Sequence, residues 1–483
     1  MANNAIPERQ RRWFFGLAGL ILASLFTGIA TRQWWLFGLP LLLMGAYLSL
    51  RDVRLPFYFL FACIPLSIPL FLPGGFSTDL PTEPLMIALT GMGLLLALHR
   101  AGQADLRFHL HPVTLLLMLH LGWIAITTIT SQEPFISLKF LLAKIWYVLP
   151  FYFLAGWMLR TFRDVSTLFW VVLIPLVFTV LYVLVRHAGT GFTFATVGSV
   201  LHPFYSNHVI YAALMAVFFP WLWYMRLEYR HRPFWNALFW ALIGLFLIAI
   251  YLSYTRAAYI AVISSLGAYA LIRLRLVLPA LALVLAFALI GLGGLIRQNR
   301  YLELAPDYAS TITHQDFGNL LEATYQGEDI STMERLYRWV AGFHMIGEKP
   351  WLGFGPGAFY ESYRPYTVLS FITYVSDNKE RSGIHSYYLM TLVEQGVPGL
   401  LFFLLFNAGV LITAQRLYHR RTGRRYRRLV LLLTLTFTSV MVLQIINDLI
   451  ELDKVGAFFF LAAALLVNLD LDRMAVPEEQ ADN

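Results

Sequence analysis

The sequence predicts an all-α polytopic membrane protein of about 12–14 transmembrane helices, with one large, partly helical loop on the outer (periplasmic) face. Three observations predict it. Of 483 residues, 58% are apolar and only 13% charged, with a mean hydropathy of +0.64, whereas a soluble domain is about a quarter charged. Fourteen apolar segments approach or reach the roughly 20 residues that cross a bilayer. The polar stretch from Arg297 to His385, rich in Gly, Tyr and charge, interrupts that pattern.

The apolar segments lie near 13–31, 34–50, 55–72, 84–98, 113–130, 142–159, 167–186, 207–225, 234–253, 257–272, 276–295, 398–415, 429–447 and 455–470. Arg9-Gln-Arg-Arg12 before the first of them resembles a signal peptide, but no small-residue cleavage site follows, so an uncleaved first span is expected. With the N-terminus cytoplasmic and the sides alternating, 22 of the 36 Lys and Arg fall on cytoplasmic segments, seven of them between Arg416 and Arg428. Short outer connections are nearly free of basic residues, as the positive-inside rule requires. The net charge of +8 therefore reflects topology and contact with anionic lipid heads, not a nucleic-acid footprint. This orientation turns the large loop outward. The chain divides into 1–296 (N-terminal spans), 297–385 (the periplasmic loop), 386–472 (C-terminal spans) and 473–483 (a cytoplasmic tail). Cys63 is the single cysteine, so no disulfide within the chain braces the loop.

The loop carries local order. Ser331-Thr-Met-Glu334 fits a capping box, and Leu336, Val340 and Phe343 follow at helical spacing to give one apolar face. Gly347 and Pro350 end that helix. Pro350-Trp-Leu-Gly353-Phe-Gly355-Pro-Gly357 reads as tight turns; a nucleotide-binding reading fails because no βαβ unit surrounds it. A further helix begins near Ser386 and breaks at Gly396-Val-Pro398-Gly399.

Basic residues at the outer rim oppose the topology rule. Arg186 ends the seventh segment, Arg256 begins the tenth, Arg335 and Arg338 lie on the loop helix, and Arg381 precedes His385. A guanidinium grips phosphate bidentately and stays charged, so these groups suit a polyanion at the membrane surface. An arginine at a helix end also snorkels without further purpose, and Arg338 reads as part of a solvated helix face. His385 is the candidate for proton transfer, since an imidazole near its ordinary pKa takes a proton from a hydroxyl at neutral pH; the alternative is a histidine that caps or hydrogen-bonds locally. No His/Cys/Asp/Glu spacing suggests a metal site, and no cofactor is expected. A transporter would place ionisable groups near the bilayer midplane; only Lys144 and Glu394 come near that description.

Two blocks of residues carry a resemblance to a known family. One is Glu334-Arg335-Leu-Tyr-Arg-Trp339 with Lys349-Pro-Trp-Leu-Gly353-Phe-Gly-Pro-Gly357; the other is Gly383-Ile-His385-Ser-Tyr-Tyr with Glu394-Gln-Gly396-Val-Pro-Gly399. Tyr254-Thr-Arg256 and Ser206-Asn207-His208 are looser matches. The sequence resembles the O-antigen ligase and O-antigen polymerase family of membrane glycosyltransferases. The resemblance implies a metal-independent, inverting transferase of the GT-C type in the bacterial inner membrane, with a glycan on undecaprenyl pyrophosphate as donor. It implies that His385 positions or deprotonates the acceptor hydroxyl, that Arg256, Arg186 and Arg335 bind the donor pyrophosphate or anchor the loop, and that Arg381, Asn207 and Tyr254 support them. A lipid A-core sugar is the first acceptor to consider; a second lipid-linked repeat (a polymerase) or a protein hydroxyl is the alternative.

Overall fold

The computed structural model describes residues 52–72, 76–99, 105–296, 330–372, 383–420 and 423–475, together with residues 16, 19, 23, 27, 302 and 376. Apart from residues 16, 19, 23 and 27, the apolar segments 13–31 and 34–50 lie outside the described residues, as does Arg381. Two compact units are present, Met1–Ala62 and Cys63–Asn483. The described part of the first is essentially one helix, α1 (Arg54–Cys63), in which Phe57 and Phe61 lie one turn apart with ring centroids 5.1 Å from each other.

The second unit opens with a hairpin, β1 (Ile68–Leu72) paired antiparallel with β2 (Phe76–Leu80). The sequence reading continued a span to residue 72. The helical part instead stops at Leu66 and a strand follows from Ile68, because Pro69 has no N–H to donate to a continuing helix. Thereafter come α2 (Thr82–His99), α3 (Pro112–Ile129), α4 (Pro134–Met158), α5 (Phe162–Ala188), the short α6 (Phe194–Val200), α7 (His208–Glu228), α8 (Pro233–Leu252), α9 (Arg256–Arg273) and α10 (Val277–Ile296). The loop helix α11 (Ile330–Glu348) is followed by α12 (Tyr387–Arg420), α13 (Arg424–Ile446) and α14 (Asp453–Asp470). Of the twelve apolar segments that fall on described residues, eleven are helical over most of their length and 55–72 is helical to Leu66, and eight helices among the described residues are long and apolar enough to cross a membrane. The chain is an all-α polytopic membrane protein.

Local chemistry sets the helix starts. Thr161 and Asp164 form a reciprocal capping box at α5. The Asn207 side chain accepts from the Ile210 N–H at 3.0 Å and starts α7. In α4 the missing N–H of Pro150 widens the helix to a π turn over Leu149–Leu154.

The core is α14, which is buried along almost its whole length. Phe459 stacks on Phe437 of α13 at 4.3 Å, and Asn468 donates to the carbonyls of Gly156 and Leu159 at the end of α4. His385 precedes the start of α12 and Arg416 and Arg420 lie in its last two turns, so the basic end of the bundle is opposite the end that carries His385.

Candidate functional site

The loop region is seated by a break in α12. Gly396 has φ 70° and ψ −173°, which interrupts the helical hydrogen bonds. The carbonyls this frees must be satisfied, because a lipid-surrounded helix has no water to take them. The glycine-rich turn supplies the donors: Phe354 N–H donates to Val393 O at 3.1 Å and Gly355 N–H to Glu394 O at 2.9 Å. Trp123 Nε1 donates to Gln395 O at 2.8 Å, and Val397 N–H turns back to Pro350 O at 2.8 Å. The Glu394 carboxylate accepts from the Gly357 and Phe359 N–H groups at 2.8 and 3.2 Å. Gly353, Gly355 and Gly357 all have positive φ. The turn is thus a plug in a broken helix, and Glu394 is its fastening.

His385 stands two residues before α12, at φ 56°. Both sides of it are pinned. Arg338 Nη1 donates to Gly383 O at 3.3 Å and Trp339 Nε1 to Ile384 O at 3.0 Å, while Tyr387 N–H donates to Asn447 O at 3.1 Å. The Tyr387 hydroxyl accepts from Lys144 Nζ at 3.1 Å, and Lys144 is in turn paired with Glu451. The imidazole itself makes no hydrogen bond among the described residues.

The buried face of α11 carries Met333, Tyr337, Val340 and Ala341, together with Glu334 and Arg338. This corrects two expectations. Leu336 and Phe343 are only half-buried, and Arg338 is buried, not solvated. Pairing explains it: Arg338 Nη2 meets Glu334 Oε2 at 3.2 Å, and the same carboxylate accepts from Ser376 Oγ at 2.7 Å. The helix α11 runs from Ile330, so Ser331 lies inside it and not at its cap, and Glu334, one turn in, pairs with Arg338 and Ser376.

Charge around the imidazole is positive. Burial first, then Arg338 and Arg335, push the His385 pKa down to about 3. The imidazole is neutral at any physiological pH and ready to accept a proton, but as a weak base. An anion bound to Arg335 and Arg338 would cancel their fields and strengthen it. The sign follows: a base works when neutral, so a lowered pKa moves the acid limb of activity to lower pH. For the free enzyme, kcat/KM is expected to stay flat from pH 8 to pH 5, where a histidine of pKa about 6.5 would lose roughly 30-fold. The limb in kcat should lie at higher pH than that in kcat/KM. Rate profiles with saturating and limiting donor measure the two, and a kcat/KM limb near 6.5 would refute the assignment.

Arg335 lies within electrostatic range of His208 as well as His385. His208 in turn presents its carbonyl to Thr255 Oγ1 at 3.2 Å, next to Arg256 at the first position of α9. Arg335, His385 and the start of α9 therefore belong to one region at the end of the bundle. Tyr254, at φ 54°, donates to Phe192 O and packs on Phe194, which ties this corner to the 187–206 loop. Asn207 serves as the cap described above. Arg186 is spent locally: it donates to Val200 O at 3.1 Å, Ser199 O at 3.4 Å and His202 O, and lies over the Tyr182 ring.

One group escaped the sequence reading. A Cβ on Gly383 would come within 2.7 Å of Asp448 Oδ2, so this carboxyl lies against the His385 segment. Burial raises its pKa. The signal was an acidic residue in a short connection between two spans, which is common, and only the fold brings it here.

Residues 241–404 match the model of the O-antigen ligase family. The match spans 164 of the 483 residues and supports a relationship of this segment to that family. No curated protein and no solved structure matches the chain. The O-antigen ligase segment runs from within α8 into α12 and contains Tyr254, Arg256, Arg335, Arg381 and His385; Arg186 and Asn207 lie before it. Members of the matched family are membrane glycosyltransferases of O-antigen ligase or polymerase type.

Proposed function

We propose that the chain transfers a glycan from undecaprenyl pyrophosphate to a sugar hydroxyl of lipid A-core on the periplasmic side of the inner membrane, with inversion and without a metal. The observation that carries the reading is the neutral, unbonded imidazole of His385, set in the field of two arginines inside the matched segment. His385 takes the proton of the acceptor hydroxyl as its oxygen bonds to the anomeric carbon. The bond from that carbon to the pyrophosphate oxygen breaks on the opposite face, and the pyrophosphate leaves as an anion. Arg256 and Arg335 stabilise its growing charge, and fixed charges are worth most where water is excluded. The position of Arg256 at a helix N-terminus adds the favourable end of the α9 dipole. Arg186 has the smaller part, ordering the 187–206 loop beside the donor, with Asn207 and Tyr254; Arg381 is assigned a supporting contact.

Arg256→Ala should raise KM for the lipid-linked donor by roughly 10- to 100-fold, the range of a charged hydrogen bond. Arg256→Lys should recover part of that, because it keeps the charge and loses the fork. Donor KM values unchanged in both variants would reduce Arg256 to an anchor. The whole reading is tested by reconstituting the full chain with a lipid-linked glycan, in chelator, and offering lipid A-core, a second lipid-linked repeat and protein as acceptors. Product on lipid A-core is expected. Product confined to the repeat would make the chain a polymerase, product confined to protein would make it a protein oligosaccharyltransferase, and strict dependence on added divalent ion would refute the metal-free step.

A further inference from the structure

Three segments meet at the end of the bundle opposite His385, and each brings one arginine. Arg107 lies on the turn Leu106–His109, Arg160 follows α4, and Arg473 follows α14. Backbone bonds lock the segments together: Ala475 N–H donates to Arg160 O at 2.9 Å, Phe162 N–H to Ala475 O at 3.2 Å, and Arg473 N–H to Asn468 O at 2.9 Å. The Phe108 ring lies so close to Gly156 that no side chain fits there, and the Arg473 guanidinium lies 5.0 Å above that ring.

The charges at this junction do not balance. Three guanidinium groups share the field of Asp105, which is already engaged by Arg107 at 3.1 and 3.2 Å, while the second carboxylate at the junction, Asp164, accepts from the Arg160 and Thr161 N–H groups at 3.0 and 2.8 Å. Arg473 Nε approaches it at 3.2 Å, but Nη1 of Arg473 is buried with no hydrogen-bond partner, on a side chain only 6% exposed. His109, the other titratable group here, is turned away onto Phe153 at 5.7 Å. Four other arginines at this end meet carboxylates: Arg416 and Arg420 meet Asp470, Arg420 also meets Asp472, and Arg425 and Arg428 share Glu228. A buried donor without an acceptor is costly, and a cluster with excess positive charge calls for an anion. Burial lowers the Arg473 pKa to about 10, and Arg160 and Arg107 push the same way while Asp105 opposes them, so a bound anion would relieve the cluster.

We propose that Arg107, Arg160 and Arg473 form a binding site for the phosphate of an anionic phospholipid. The lipid, not free phosphate, is indicated by what flanks the cluster. Leu106 and Leu110 are each 62% exposed and Trp157 is 39% exposed, an apolar rim suited to acyl chains beside a basic pocket between helix ends. Such a lipid ties together the ends of α4 and α14 and the turn before α3.

Native mass spectrometry of the delipidated full chain, titrated with phosphatidylglycerol or phosphatidylcholine of the same acyl chains, tests this. One tightly held phosphatidylglycerol is expected, retained about tenfold better than phosphatidylcholine. The double variant R107Q/R160Q, which gives up the Arg107 pairing with Asp105 and the Arg160 Nε bond to Trp157 O, both at exposed sites, should lose that preference, and R424Q at the same end should keep it. R473Q should lose it too, and the double variant decides the matter if R473Q does not fold. Equal retention of the two lipids, preference surviving in R107Q/R160Q, or equal loss in R424Q would overturn the site. Inorganic phosphate displacing the lipid at equal concentration would overturn the lipid assignment in favour of a free anion.

Discussion

Replacing His385 with Ala is expected to lower glycan transfer by about 100- to 10,000-fold, the share a general base supplies, while the protein stays folded. The folding half of that expectation rests on the imidazole making no hydrogen bond among the described residues, so its removal orphans nothing. Removing a group that burial and two arginines hold neutral should leave the thermal midpoint unchanged or raise it, most clearly below pH 6.5. The sign follows from linkage: the folded-state pKa lies below the unfolded value, so stability falls as pH drops from 6.5 towards 3, and the variant escapes that loss. His385 also sits at φ 56°, a conformation Asn accepts better than Ala. His385→Asn therefore separates chemistry from backbone strain. If the base role holds, both variants lose transfer alike; near-wild-type transfer in His385→Asn would leave the residue a backbone pin and nothing more.

The parts of this site differed in how far the sequence revealed them. The break at Gly396-Val-Pro398-Gly399 was legible because Gly and Pro punctuate a helix for local reasons, and α12 is interrupted at Gly396. His385 was legible as a polar residue at the mouth of a span. Arg338 was not, because its burial depends on Glu334 one turn away and on the Gly383 carbonyl 45 residues on, and a helical wheel shows only the first. Arg186 looked like an unpaired cation at a span end; its acceptors are backbone carbonyls of Ser199, Val200 and His202, to which sequence patterns are blind. The strand Ile68–Leu72 hid at the end of an apolar run because hydropathy does not distinguish a strand from a helix. Local punctuation was thus readable, and pairing across long separations was not.

The glycine-rich turn reads from the sequence as tight turns, and its contacts give it a stronger duty that a substitution can expose. Gly396 occupies a backbone region open essentially to glycine alone, and a Cβ there would strike the Trp351 carbonyl. Gly355, at φ 107°, faces the Ser131 and Ser137 side chains just as closely. Neither neighbour can retreat cheaply: Trp351 is flanked by the Pro350 carbonyl that holds Val397, and Ser137 Oγ donates to Pro356 O at 2.8 Å. Backbone strain of about 1–3 kcal/mol and overpacking of about 1–3 kcal/mol should therefore add at either site. Against a total stability of about 5–15 kcal/mol, Gly396→Ala or Gly355→Val should sharply lower the melting midpoint in detergent and the yield of monodisperse protein. Gly347→Ala, where a Cβ meets nothing within 4 Å, should melt like the parent. Activity separates the two functions of the region. Because the first half of α12 carries His385 at its start, the surviving folded fraction of Gly396→Ala should also transfer glycan more slowly per molecule. A Gly396→Ala protein that melts and turns over like the parent would mean that the plug can be repacked, and the turn would lose its claim to fix the histidine.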